Sequence, residues 1–229
     1  MGYGLQLVSP PATEPLSVDG DVRPWLRLEV SDDDTLLAGL VTSAREYVER
    51  AAGLQLMPAT WLLTSDRFPR YSSSAVWQQY SDGLWDQRIP QTELSGRWWP
   101  DKAAIRLPRP PLQSVTSITY VDGTGAQVTL APANYLVDTA RMPGRITPSY
   151  GNIWPIIRQQ LNAVQVTFVA GFSPLGTAPY PLPWALKTAM LLLLADWYEN
   201  RGETAPAPTV LDRVLALVDS VWRSYGLGS

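Results

Sequence analysis

The chain has 229 residues, 45% of them hydrophobic and 17% charged, enough apolar content for a buried core and too little charge for a disordered one. A net charge of −3 argues against a general DNA-coating protein, which needs surplus Lys and Arg to displace counterions from phosphates. Cysteine and histidine are both absent, which excludes disulfides, Cys/His zinc sites, a cysteine nucleophile and a Ser-His-Asp triad.

No basic start followed by an apolar run opens the chain, so no secretory signal is expected. The most apolar stretch, Ala189 to Ala195, is far short of the ~20 residues of a membrane span, so no membrane association is expected. Only Lys102 and Lys187 are lysines, and the remaining cations are arginines. A coding bias accounts for that most simply, although arginine also suits bidentate contacts at subunit interfaces.

In chain order, Leu5 to Val30 mixes Pro, Asp and apolar residues, and Ser17 is placed to cap a short helix that Gly20 and Pro24 weaken. The next helix is well signalled. Ser31 stands at the N-cap with Asp34 three residues on, and the Asp32-Asp33-Asp34 run reads as capping, not as a metal site. Leu36, Leu37, Leu40, Val41, Ala44, Tyr47, Val48 and Ala51 form its apolar stripe, leaving Arg45, Glu46, Glu49 and Arg50 largely outside. Gly53 closes it.

Residues 59–172 shift to period two. Strands are expected at Thr60–Thr64, Ala104–Leu107, Val115–Val121, Gln127–Leu130, Tyr135–Asp138 and Val164–Ala170. Asp122-Gly123-Thr124-Gly125 is a hairpin signal. Residues 70–99 stand apart as an aromatic-rich loop that includes Trp77, Trp85, Trp98 and Trp99. Those rings suit either a small local core or a contact surface.

Trp184, Leu186, Met190, Leu191, Leu194, Trp197 and Tyr198 set up an amphipathic helix, and Lys187 is expected to snorkel from it to water. After a Pro-punctuated linker, Val210, Leu211, Val214, Leu215, Leu217, Val218, Val221, Trp222 and Tyr225 give a last helix a wide apolar face. The fold class is α+β: a helical bundle core from the N- and C-terminal helices, with an inserted, mostly antiparallel β unit. The corresponding parts are 1–58, 59–172 and 173–229.

No Walker loop, GxGxxG or SxxK occurs. Ser173, in a near miss for a nucleophile elbow, has no histidine to activate it and reads as a turn residue. The pairs Glu46/Glu49 and Asp196/Glu199 read as solvated helix faces. No catalytic residue, cofactor or metal is expected.

Several strings in order resemble the head-tail connector (adaptor) family of long-tailed phages, in the branch carrying a β insertion. They are Leu7-Val8-Ser9-Pro10-Pro11, Asp33-Asp34-Thr35-Leu36-Leu37, Ala44-Arg45-Glu46-Tyr47-Val48-Glu49, Leu107-Pro108-Arg109-Pro110-Pro111-Leu112 and Ile118-Thr119-Tyr120-Val121-Asp122. Pro143-Gly144-Arg145-Ile146, Phe168-Val169-Ala170-Gly171-Phe172, Ala189-Met190-Leu191-Leu192-Leu193 and Trp197-Tyr198-Glu199-Asn200-Arg201 follow. Residues 70–99 look like an insertion relative to that family, and the last helix matches only in kind.

The resemblance implies a non-enzymatic virion protein at the head-tail interface, assembled in the host cytoplasm. It implies a ring, commonly twelvefold, between the portal protein and a tail-side connector, stopper or tail terminator. Genomic DNA would pass through the centre without sequence-specific binding. Candidate portal or subunit contacts are Trp222, Arg223 and Tyr225, with Trp77, Trp85, Trp98 and Trp99 from the aromatic segment. A binding module that grips carbohydrate or peptide with that segment is the competing expectation.

Overall fold

Strands 59–65 and 164–170 pair antiparallel across the centre of the molecule, and the rest is arranged about them. The computed structural model describes residues 3–69, 104–173, 180–200 and 208–225. The strands are β1 (Gly4–Ser9), β2 (Ala59–Ser65), β3 (Ile105–Arg106), β4 (Leu112–Val121), β5 (Gln127–Thr129), β6 (Tyr135–Asp138), β7 (Arg145–Pro148) and β8 (Val164–Ala170). The helices among the described residues are α1 (Arg23–Leu26), α2 (Asp34–Ala52), α3 (Trp184–Glu199) and α4 (Pro208–Ser224), with a π turn at Val18–Val22 before α1.

One sheet has the order β1-β2-β8-β4-β5 and the other β3-β7-β6, and every strand pairing is antiparallel. β8 shows why it is central. Val164, Val166, Phe168 and Ala170 alternate with half-buried residues, so one face enters the sheet's core while both edges are paired. Asp122 closes the β4–β5 hairpin: its Oδ1 accepts from the Thr124 and Ala126 amides at 2.9 and 3.0 Å.

The second core lies among the helices. Leu37, Val41 and Val48 of α2 meet Leu186, Met190, Leu193 and Leu194 of α3 and Val214, Val218 and Val221 of α4. Tyr47 and Trp197 meet edge to face at 6.0 Å, the arrangement that ring quadrupoles favour. The molecule is therefore an α+β mixture in which helices distant in sequence share one apolar cluster. Among the described residues no helix is long and apolar enough to cross a membrane.

Several expectations need correction. The N-terminal part is not purely helical: residues 4–9 supply an edge strand of the larger sheet, hydrogen-bonded to β2. Ser17 does cap, accepting from the Gly20 amide at 3.0 Å. Ser31 does not: α2 begins at Asp34, and Asp33 stands at its N-cap without a side-chain capping bond. The α2 stripe is also rotated, leaving Leu36 and Ala51 exposed while Arg45 and Glu49 are buried. On α3, Lys187 does not extend freely into water; the residue is buried, with its ammonium 5.3 Å from the Trp184 ring centroid. Asp196 is likewise buried and accepts from Asn200 Nδ2 at 3.1 Å, while Glu199 is exposed. β7, with Pro148 at its end, lies where no strand was expected.

Candidate assembly surfaces

α4 turns Val214, Val218 and Val221 inward at helical spacing, and its end carries the residues singled out for contact. Trp222 is half-buried, and its ring edge lies 3.7 Å from where a Cβ on Gly53 would stand, so it packs over the end of α2. Tyr225 is half-buried too, 6.0 Å from the Phe172 ring and 6.5 Å from the Tyr180 ring. Only Arg223 of the three is exposed, paired with Asp219 one turn back. The structure thus brings Trp222 and Tyr225 together as part of the chain's own packing. Trp77, Trp85, Trp98 and Trp99 lie outside the described residues.

Tyr225 also borders a cleft of about 390 Å³ between the end of α4 and the smaller sheet. Arg106, Arg141 and Arg145 converge on it, Met142 and Tyr180 complete the wall, and among the described residues no acidic side chain lines it. Arg145 is held by Asp138 at 2.9 Å, while Arg106 and Arg141 are exposed. The Tyr180 hydroxyl donates to the Thr139 carbonyl at 2.7 Å. Burial pushes the phenols of Tyr180 and Tyr225 up, aided by the Asp138 charge at the first, so both are neutral donors at physiological pH. A cleft of this composition can hold a carboxylate or phosphate by charge-assisted hydrogen bonds. Its arginines are scattered in sequence, and nothing in their spacing signals that the β3 and β7 strands bring them together.

Between the helices and the larger sheet lies a buried polar network that the sequence reading placed in solvent. Arg45 and Glu49 are each only 7% exposed and pair at 2.9 Å. Arg45 also donates to Glu14 at 2.8 Å. Glu49 accepts from Gln55 Nε2 at 2.7 Å and from the Leu56 amide at 3.0 Å. Gln55 in turn accepts from the Trp61 indole at 3.1 Å, carrying the chain of bonds into β2. Arg109 donates to the Glu49 carbonyl at 3.2 Å and stacks 5.3 Å over Trp61.

Burial pushes the Glu49 carboxyl above the usual carboxylate range, against the pull of the Leu56 amide and the Arg45 charge. Burial also works to lower Arg45, yet the Glu14 and Glu49 carboxylates hold it above its ordinary value. Among the described residues no buried side-chain nitrogen or oxygen lacks a partner. With its acceptor positions filled this way, Glu49 is a structural tie between the helical layer and the sheet. Among the described residues, no three His, Cys, Asp or Glu side chains are grouped to hold a metal ion.

No family model matches the chain, and no curated protein matches it. Solved structures do. A chain in the neck of an empty gene transfer agent particle, computed with C6 symmetry, superposes with a TM-score of 0.63 at 22% identity, covering 95% of this chain and 94% of that one. A chain in the virion of the native particle gives 0.62 at 22% identity, over 94% and 93%. A chain in the native neck, computed with C12 symmetry, gives 0.58 at 22% identity, over 95% and 93%. This chain shares the fold of those chains over nearly its whole length.

Proposed function

We propose that this chain is a structural neck component of a phage-like particle, a ring-forming adaptor between the portal protein and a tail-side connector, stopper or tail terminator. Genomic DNA passes through the ring without sequence-specific binding. The observation that carries the reading is the end-to-end likeness to chains of a particle neck, covering 95% of this chain and 94% of the other. A likeness over a single domain would speak for a common building block; one that spans both apolar cores speaks for a shared architecture. The weakly acidic chain suits a conduit, since a wall that gripped phosphates would retain the DNA it should release.

Within this reading the exposed Arg223 and the arginine cleft beside Tyr225 form the portal-facing surface, and Trp222 supports it from behind. The ring is twelvefold, the protein resides at the head-tail interface of the virion, and it acts by surface complementarity without catalysis. Particles made without this chain should accumulate as separate heads and tails, and adding purified chain should join them. Normal joining in its absence, or purified particles that lack the chain, would overturn the assignment.

A further inference from the structure

The connection between β7 and β8 is ordered yet presents its apolar side chains to water. Ser149 anchors its start, donating through its amide to the Asn134 carbonyl at 3.0 Å and through its hydroxyl to the Ala133 carbonyl at 2.8 Å. Asn152 then donates to Ser149 through both its amide and its side chain. Trp154 stacks flat on Phe68, with ring centroids 4.7 Å apart and planes 3° from parallel. Ile157 packs on the sheet's core, the Arg158 amide donates to the Val121 carbonyl at 3.0 Å, and the Asn162 amide donates to Asp66 at 2.9 Å. Between these anchors Tyr150 is 98% exposed, Ile153 86%, Ile156 89% and Leu161 78%.

Four large apolar side chains within one short connection leave on the order of 600 Å² exposed to water. A loop that avoided this cost would bury its isoleucines or replace them with polar residues. Here the anchors hold them outward instead, so little ordering entropy remains to be lost on contact.

We infer that residues 149–163 form the face through which one copy of this chain seats on the next. The inference rests on the ring reading above and supplies one of its subunit contacts. The area argues for a second copy: ~600 Å² is most of the ~800 Å² that each partner contributes to a stable interface. Composition argues the same way. Arg158 is the only charged residue in the segment, which ill suits DNA phosphates and fits the apolar contacts of permanent homo-oligomers. A closed ring needs two different faces on each copy, and this loop is one of them.

Sedimentation velocity of the purified full chain over a concentration series tests this with Ile153→Asp/Ile156→Asp. A control with the same added charge, Val30→Asp/Leu36→Asp, alters exposed apolar residues elsewhere. The expected result is assembly of wild type and control, with at least a tenfold loss of association in the loop variant at an unchanged melting temperature. A loop variant that assembles like wild type overturns the inference and leaves the neck reading standing, which the joining of heads to tails decides separately. A wild type that stays monomeric at every concentration overturns it as well. Because the chain has no cysteine, Ile156→Cys carries a benzophenone probe at one position alone. Cross-links to a second copy support the contact, and cross-links confined to the same chain refute it.

Discussion

The Tyr198 hydroxyl, near the end of α3, donates to Asp33 at the start of α2 at 2.5 Å, joining residues 165 apart in sequence. Beside it, Arg23 pairs with Asp34, so two members of the Asp32-Asp33-Asp34 run tie distant segments together instead of capping their own helix. Tyr198→Phe removes only the hydroxyl. With a carboxylate acceptor in a half-buried setting, the expected loss is about 1–2 kcal/mol in urea unfolding. An unchanged midpoint would show that the bond carries no stability.

The Arg45–Glu49 pair makes two predictions of different kinds. Arg45→Met leaves the Glu49 carboxylate buried without its main cation, and the expected destabilisation is about 3 kcal/mol. The pH response follows from Glu49 being held above its ordinary value by burial. An acid raised in the folded state contributes stability that is complete below its unfolded pKa, ~4.3, and is lost as pH rises through the raised value. Glu49→Gln abolishes that titration. The wild-type melting temperature minus that of Glu49→Gln should therefore fall as pH rises from about 4 toward neutrality. A constant or growing difference would contradict the assigned shift.

Period and turn chemistry made most of the elements readable. Val164–Ala170 and Tyr135–Asp138 appear with the expected bounds: the first alternates along its whole length and ends at Gly171, and the second is a short apolar run that follows Pro132. α3 and α4 follow from their apolar spacing. The edge strand β1 was hidden because a six-residue edge carries weak alternation, and its pairing to β2 is set by tertiary context. Arg45, Glu49, Lys187 and Asp196 were misplaced for a common reason. A charged residue is assigned to water unless its partners are known, and the partners of Glu49 include Gln55 and the Leu56 amide beyond the helix end. The outward isoleucines of the β7–β8 connection were equally invisible, since hydrophobicity alone does not say which apolar residues stay exposed.

Gly171 marks the crossing where β8 leaves the sheet for the helical core. Its φ is +135°, and a Cβ there would lie 2.4 Å from the Met57 carbonyl oxygen, a backbone atom with little room to yield. The Gly171 amide donates to Pro111 and its carbonyl accepts from Gln113, so the position is fixed from three sides. Gly171→Ala should cost about 3 kcal/mol, from strain and overpacking together. Gly123→Ala, in the hairpin with nothing within 4 Å of the added carbon, should stay within about 0.5 kcal/mol. Equal melting temperatures for the two variants would show that the crossing relaxes freely.

The end of α4 allows packing and docking to be separated. Trp222 lies against the end of α2, so Trp222→Ala should cost about 2–3 kcal/mol of stability, and any loss of head-tail joining then mixes a weakened fold with a weakened contact. Arg223 avoids that confusion. It is exposed, and its pair with Asp219 is a surface ion pair worth at most about 1 kcal/mol. Arg223→Glu should therefore leave the melting temperature within a few degrees of wild type while reversing the charge on the surface proposed to face the portal. Under the proposed orientation, the purified variant joins heads to tails at least tenfold less efficiently than wild type at equal concentration, and added salt lowers the wild-type efficiency toward it. If Arg223→Glu joins them as well as wild type, the end of α4 does not face the portal, and the arginine cleft beside Tyr225 loses its claim to that surface as well.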